Sequence, residues 1–103
     1  MTARNTEDGI SALPLRAEPN AEVVFQRVGD TVVLLHLGTD KFYELNQTGA
    51  RFWELLAAGN GPAAVHEQMV REFDVDPAEL AREVNQLLAS LAKEDLIHVV
   101  VSH

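Results

Sequence analysis

Residues able to carry out acid–base, metal or nucleophilic chemistry are few in this chain, and they lie far apart. The four histidines are not paired at a four-residue spacing; they are His36, His66, His98 and His103. Isolated histidines of this kind are more often structural or exposed than catalytic. The chain also has no cysteine, which excludes disulfides, thiolate metal sites and a cysteine nucleophile.

The remaining motifs that could suggest chemistry have simpler explanations. Asp74-Val-Asp76 resembles the start of a calcium loop, but the loop glycine and the late glutamate are missing, and Pro77 follows directly. The two serines beyond the N-terminal segment, Ser90 and Ser102, lie in a predicted helix and at the chain end. Gly59-Asn-Gly61 fits a turn between helices and lacks the pattern of a phosphate loop. We therefore predict a protein that is not an enzyme and holds no metal or cofactor.

Length and charge narrow the class of protein further. With 103 residues, the chain is long enough for one compact domain. Its 16 acidic and 8 basic residues give a net charge of −8, and the basic residues are scattered, so nucleic acids and anionic membranes are not expected partners. No window approaches the ~20 apolar residues of a membrane span. A folded domain without cysteine is typical of the cytoplasm, which we predict as its location.

Strands in the first half of the chain must position any site. Two apolar, β-branched runs, 22–28 and 31–37, are separated only by Gly29-Asp30, which fits a two-residue type II′ hairpin turn. The second run is nearly continuous in apolar residues, which predicts a central strand buried on both faces. Residues 42–45 predict a third strand, and together the three runs predict an antiparallel meander.

In the second half the apolar pattern changes to that of helices. Asn46 is a helix cap, and Gly49 in the first turns of that helix suggests a close backbone approach. A second helix is predicted over residues 62–73, and a third runs from the cap Asp76 to about residue 94. The apolar run 96–101 predicts a short last strand.

This order predicts an α+β fold, in which a three-stranded antiparallel β-meander is followed by three α-helices arranged much as in a winged-helix domain. Residues 1–21 show little apolar periodicity, and we predict a flexible N-terminal tail there. The domain itself is predicted over residues 22–101.

The junction between the third strand and the first helix carries an ordered set of residues, Lys41-Phe-Tyr-Glu-Leu-Asn46, then Thr48-Gly49, then Phe52-Trp53-Glu-Leu55. This set resembles the PqqD-like family, the peptide chaperones also called RiPP recognition elements of ribosomal peptide modification pathways. The resemblance extends over residues 22–100, and the pair Phe42-Tyr43 is most similar to discrete members from lasso-peptide clusters. It implies a domain that binds the leader region of a precursor peptide and presents the core region to a modifying enzyme (a protease, cyclase or radical enzyme).

The resemblance also implies that the leader adds as a strand beside the third strand and lies against the third helix. Strand addition needs an unpaired edge, and the third strand of a meander has one. Because side chains alternate along a strand, we assign Tyr43 and Leu45 to the core and Phe42 and Glu44 to the other face. On the third helix, Leu87 lies on one flank of the apolar stripe and can line a groove. The predicted peptide-binding residues are Lys41, Phe42, Tyr43, Glu44, Leu45, Arg82, Glu83, Gln86, Leu87 and Ser90.

Two other functions are compatible with the sequence. A winged-helix DNA-binding protein would fit the helix order, but the third helix carries only Arg82 and Lys93 against three glutamates. A small structural or adaptor subunit could instead dock its apolar stripe on a partner enzyme. The exposed strand edge is consistent with either a monomer or a homodimer.

Overall fold

The computed structural model describes residues 16–100, in which three helices pack on one face of a small antiparallel sheet. In chain order the elements are β1 (Arg16–Pro19), β2 (Val23–Val28), β3 (Thr31–His36), β4 (Lys41–Leu45), α1 (Gln47–Ala57), α2 (Pro62–Glu72), α3 (Pro77–Lys93) and β5 (Ile97–Val100). The predicted α+β class is confirmed, and so is the order of a three-stranded meander followed by three helices.

The meander consists of β2, β3 and β4, with β3 in the centre. Val28 lies opposite Thr31 where the hairpin between β2 and β3 closes. Gly29 in the turn has a positive φ of 63°, whereas Asp30 does not, which is the pattern of the predicted type II′ turn. This two-residue turn fixes the register of the first pair of strands.

The two faces of the sheet have different environments. Val32 and Leu34 of β3 are fully buried on the face that meets the helices, whereas Val33 and Leu35 on the other face are only half-buried. The prediction that β3 is buried on both faces is therefore wrong for this second face, which we call the outer face. It differs because all the helices of the described chain pack on the opposite side, so no second layer covers it.

Polar caps begin α1 and α3 as the sequence predicts. Asn46 Oδ1 accepts a hydrogen bond from the Gly49 N–H, and an Asp76 carboxylate oxygen accepts one from the Glu79 N–H, both at 3.0 Å. Gly49 is buried where α1 leaves the sheet, and a Cβ atom placed there would lie 3.3 Å from Leu45 Cβ. The close backbone approach predicted for this glycine is therefore present.

The core fills the space between the sheet and the helices. The Trp53 side chain of α1 is fully buried and meets the Phe25 ring of β2 edge to face, with 5.8 Å between ring centroids. Leu87 of α3 is only half-buried, so one flank of the α3 stripe lies in the core and the other reaches the surface. The buried residues of α3 are Leu80, Ala81, Val84, Leu88 and Leu91.

A strand that the sequence did not predict precedes the meander. β1 pairs antiparallel with β5, with Ala17 opposite Val99, and Ala17 and Ile97 are buried. The predicted tail over residues 1–21 is therefore wrong for residues 16–19, while residues 1–15 lie outside the described part. The strand was missed because Arg-Ala-Glu-Pro has weak strand propensity and its partner lies about 80 residues away. The predicted last strand is confirmed as β5.

A chain of ion pairs joins β2, α1 and α2 at the surface of the fold. Arg27 Nε lies 2.6 Å from a Glu54 carboxylate oxygen, and Arg51 Nη2 lies 2.7 Å from a Glu72 carboxylate oxygen. Hydrogen bonds from Arg51 and then from Gln68 lower the pKa of Glu72 to about 2. The bond from Arg27 likewise lowers the pKa of Glu54.

Candidate functional site

β4 is an edge strand, since only β3 pairs with it among residues 16–100. The direction of its main-chain groups follows from the hairpin turn, because ladder pairs alternate between hydrogen-bonded and non-bonded pairs along antiparallel strands. Val28 and Thr31 flank a two-residue turn and form a bonded pair, so alternate residues of β3 from Thr31 onward bond to β2. Leu37 continues this alternation, because its N–H donates to the Glu22 carbonyl at 2.8 Å.

The other residues of β3 consequently direct their main-chain groups toward β4. His36 shows this, since its carbonyl accepts a hydrogen bond from the Asp40 N–H in the next turn at 2.8 Å. Leu34 lies opposite Tyr43 in this ladder. Phe42 and Glu44 fall between the bonded pairs, and their N–H and C=O groups point away from the sheet. We call these outward-pointing groups the open edge.

Side chains on β4 alternate as predicted. Tyr43 and Leu45 are half-buried against the core, whereas Glu44 is exposed and Phe42 is 71% exposed on the outer face. Lys41 is also exposed at the start of the strand. The open edge therefore has apolar side chains on both faces of the sheet, Tyr43 and Leu45 on the core face and Phe42 on the outer face.

A cavity of about 300 Å³ lies at the carboxyl end of β4, between the start of α1 and one side of α3. We call it the α3 cavity, and its lining residues are Asn46, Thr48, Gly49, Met69, Leu80, Glu83, Val84, Gln86, Leu87 and Ser90. Four of the predicted site residues, Glu83, Gln86, Leu87 and Ser90, lie in this lining. Arg82 does not, and its side chain is exposed beside it.

The contributions of α1 and α2 to the α3 cavity were not predicted from the sequence. Asn46, Thr48 and Gly49 line it because α1 begins directly after β4, and the buried Met69 of α2 lies beneath them. The one sequence signal for this was Gly49, whose missing side chain indicated a crowded strand-to-helix junction. Nothing in the pattern of α2 separated Met69 from an ordinary core residue.

The chemistry of the α3 cavity is that of an apolar pocket with a polar rim. Met69, Leu80 and Val84 are buried, whereas Glu83, Gln86 and Ser90 are exposed around the opening. No ion pair involves Glu83 within residues 16–100. A cavity of this kind can bury an apolar side chain and offers donors and acceptors to the main chain that carries it.

From the middle of β4, a side-chain bond joins the strand to Glu94, the C-cap of α3. The Tyr43 hydroxyl donates to Glu94 Oε1 at 3.0 Å, and partial burial together with this bond raises the pKa of Tyr43. Asp95, which follows Glu94, contacts two other parts of the fold. His36 Nε2 of β3 lies 3.2 Å from the Asp95 carboxylate, and Asn20 Nδ2, in the turn before β2, donates to the Asp95 carbonyl at 2.8 Å.

The outer face of the sheet is apolar and exposed. Val24 is 48% and Val28 57% exposed, and Phe42 adds its largely exposed ring at the β4 side. Together with half-buried residues of β3 they surround a shallow depression of about 450 Å³, lined by Val24, Phe25, Gln26, Val28, Val33, Leu35 and Phe42. A contiguous apolar surface of this kind on a small domain indicates a contact with another molecule.

The described residues show neither a metal centre nor a membrane helix. Across residues 16–100, no three histidine or acidic side chains come together as metal ligands. None of the three helices is both long and apolar enough to cross a bilayer.

Comparisons with known proteins agree with this architecture. The family model described as Coenzyme PQQ synthesis protein D (PqqD) matches residues 31–97. A solved structure, TbiB1 in complex with the TbiA(beta) leader peptide, is 32% identical, covers 79% of this chain and 94% of that chain, and superposes with a TM-score of 0.76. A second, lasso peptide synthetase B1 complexed with the leader peptide, is 23% identical with a TM-score of 0.73, covers 81% of this chain and 98% of that chain, and supports the fold alone. A search of curated proteins gives no match.

The motif at the strand-to-helix junction therefore indicated the correct family. The matched region contains β3, β4 and all three helices, which are the elements that build the open edge and the α3 cavity. Because this match extends over more than half of the sequence, the chain belongs to the PqqD family.

Proposed function

We propose that this chain is a non-catalytic, cytoplasmic RiPP recognition element that binds the leader region of a ribosomally synthesised precursor peptide and presents that peptide to a modifying enzyme. The observation that carries this proposal is the open edge of β4 beside the α3 cavity, where the main-chain groups of Phe42 and Glu44 pair with no other strand of residues 16–100. TbiB1, a relative of similar fold, is in complex with a leader peptide. In this chain the leader adds as a fourth strand beside β4.

The dimensions of the site suit a short extended segment. The α3 residues that line the cavity run from Leu80 to Ser90, which is roughly 15 Å of helix. An extended strand of that length has about five residues, which is also the length of β4. The leader is therefore expected to form a strand of about five residues, with alternate side chains facing α3 and the outer face.

Backbone pairing alone does not give useful affinity. Each strand hydrogen bond contributes about 0.5–1.5 kcal/mol, whereas ordering each leader residue costs about 1–2 kcal/mol. Burial of one apolar side chain in the α3 cavity contributes about 1.5–3 kcal/mol, so the cavity supplies most of the net affinity. Main-chain pairing then fixes the direction of the leader, and the cavity selects which residue is anchored.

The outer face is proposed as the surface that contacts the modifying enzyme. Phe42 belongs both to β4 and to this face, so a leader strand on the open edge would extend the same apolar surface by one row of side chains. An enzyme docked on Val24, Leu35 and Phe42 would then contact the domain and its bound leader together. This arrangement holds the leader and the enzyme on one continuous surface.

A binding titration tests the proposal. A fluorescent leader, taken from the precursor gene beside the gene for this chain, is expected to bind saturably with a Kd below about 100 μM. Leu87→Asp places a charge in the wall of the α3 cavity and is expected to weaken binding at least about tenfold, because an unpaired charge opposes burial there. Ala89→Asp, on an exposed part of the same helix outside the cavity lining, is the matched control and is expected to keep the affinity.

Two results would contradict the proposal. One is a leader that shows no saturable binding in this range to the folded protein. The other is an equal loss of affinity in Leu87→Asp and Ala89→Asp, since this would place the leader away from the α3 cavity.

A further inference from the structure

We infer that the hydrogen bond between Tyr43 and Glu94 is an end stop that fixes the register of the leader on β4. This inference rests on the proposed function and assigns Tyr43 the role of a positioning residue within the same site. The physical problem that it addresses is strand slippage. A strand moved by two residues along β4 keeps the same main-chain bonds and the same faces, so pairing alone does not select one register.

The position of the bond suits this role. Glu94 follows Ser90, the last cavity-lining residue of α3, by one helical turn, or roughly 6 Å. The Tyr43 side chain lies on the face of the sheet that meets the helices, where it reaches Glu94 at 3.0 Å. Within residues 16–100 this is the one side-chain hydrogen bond between β4 and α3 with its C-cap. The bond therefore crosses from the core-facing side of β4 to the end of α3 one helical turn beyond the cavity, where the α3-facing side chains of a leader strand would meet it.

Both ends of the bond are anchored in the fold. Tyr43 lies opposite Leu34 of the central strand, so its backbone cannot move independently of the sheet. On the other side, Glu94 is the C-cap of α3, and Asp95 follows in the left-handed region with a φ of 63°. Asp95 is tied to the sheet through the buried His36 and to the turn before β2 through Asn20. The main chain on both sides of the bond is therefore held in place.

The separation between the α3 cavity and the stop sets the register. From Gln86, near the middle of the cavity wall, to Glu94 is eight helical residues, or roughly 12 Å. An extended peptide covers that length with about four residues. A leader whose apolar anchor fills the cavity thus has room for about four residues before it meets Tyr43 and Glu94. A slipped register would either empty the cavity or press a side chain against the bond.

The absence of cysteine from the chain allows the register to be measured directly. Glu44→Cys places one thiol on β4, facing the outer face beside the leader. A set of synthetic leaders, each with one cysteine at a different position, is mixed with this protein in a glutathione redox buffer, and the disulfide yield is measured for each position. Directly opposite residues have Cβ atoms about 4.5–5.5 Å apart, so the yield reports which leader residue lies opposite residue 44.

The inference predicts one dominant leader position, with positions two residues away giving no more than about a tenth of its yield, equivalent to a register preference of about 1.4 kcal/mol. Adding Tyr43→Phe, which removes only the hydroxyl, is expected to raise the yield at those positions at least about threefold relative to the dominant one. Glu94→Ala is expected to do the same. Lys93→Ala, an exposed neighbour at the end of the same helix, is the matched control and is expected to keep the single position.

The possible outcomes separate this inference from the proposed function. If Tyr43→Phe and Glu94→Ala keep one dominant position, the bond is only structural and the end stop is wrong, whatever happens to the melting temperature. If no position cross-links above background while the leader titration still saturates, the leader binds away from β4, and both proposals fail. A shift of the yield toward neighbouring positions in both variants, but not in Lys93→Ala, supports the stop.

Discussion

Replacing Glu44 by proline removes one backbone N–H of the open edge and so tests whether the leader binds there. The Glu44 N–H points away from β3, so proline removes a group that bonds to no other strand in the described part of the chain. Proline is tolerated on edge strands where the missing N–H would face solvent. Glu44→Pro is therefore expected to keep the fold while removing a donor that the leader needs. Glu44→Ala removes the same carboxylate but keeps the N–H, and it is the matched control.

The expected loss follows from the bonds at this position. Without the Glu44 N–H, the leader carbonyl opposite it is left without a donor, and such an unsatisfied group costs about 1–3 kcal/mol when it is covered. A loss of that size corresponds to a Kd about 5–150 times higher. Removal of the Glu44 carboxylate in Glu44→Ala is expected to change the Kd less than about threefold, because an exposed charge contributes little.

Fluorescence anisotropy of a labelled leader gives the two Kd values, and the fluorescence of Trp53, the single tryptophan, reports the fold of each variant. Tyr43→Pro serves as a second comparison, because Tyr43 pairs with β3 and its loss is expected to destabilise the sheet. Equal affinities for Glu44→Pro and Glu44→Ala would refute the reasoning. So would a Glu44→Pro protein that unfolds while Tyr43→Pro does not.

Three further perturbations test other parts of the structure. Gly49→Val, in a site where even a Cβ lies 3.3 Å from Leu45, is expected to lower the melting temperature by about 5–15 °C in thermal unfolding. The pKa of Glu72 is lowered from 4.5 to about 2 in the folded protein, so the ionised carboxylate stabilises the fold at pH values above 4.5. This contribution to stability is lost as the pH falls from about 4.5 to 2. Arg51→Leu removes the main partner of Glu72 and is expected to make the chemical denaturation midpoint fall less steeply across that pH range. Val24→Ser on the outer face is expected to reduce co-purification of the modifying enzyme while leader affinity stays within about twofold.

The first two of these expectations each have a matched control. Ala57→Val places the same valine side chain at an exposed position of α1 and is expected to leave the melting temperature nearly unchanged. Arg71→Leu removes a cation whose ion pair with Glu67 is exposed, so it is expected to keep the steep acid dependence. For the outer face, an unchanged yield of enzyme with Val24→Ser, and also with a double replacement of Val24 and Leu35, would place the enzyme contact elsewhere.

Local signals in the sequence predicted much of the fold. The Gly29-Asp30 turn fixes the first hairpin because only glycine adopts the required positive φ without strain. Asn46 and Asp76 cap helices because their side chains accept backbone hydrogen bonds that would otherwise lack partners. The alternation along β4 placed Tyr43 correctly toward the core. In each case the controlling interaction spans only a few residues.

The parts that could not be predicted depend on contacts between distant segments. β1 exists because Arg16–Pro19 meets β5 near the other end of the chain, and its own residues carry no strand pattern. The exposure of Val33 and Leu35 depends on whether a second layer covers the outer face, and an apolar run gives no information on that. The bond from Tyr43 to Glu94 joins residues 51 positions apart, so only the folded structure reveals it.

Hydrogen–deuterium exchange of single amides, with and without a saturating leader, tests the central claim most directly. In the free protein the amides of Phe42 and Glu44 are expected to exchange rapidly, while those of Tyr43 and Leu45 are protected by the ladder to β3. Leader addition is expected to slow exchange at Phe42 or Glu44 at least about tenfold, with the fast-exchanging edge of β2 unaffected. Amides of Phe42 and Glu44 that are already protected in the free protein, or that stay fast with the leader bound, would contradict the account.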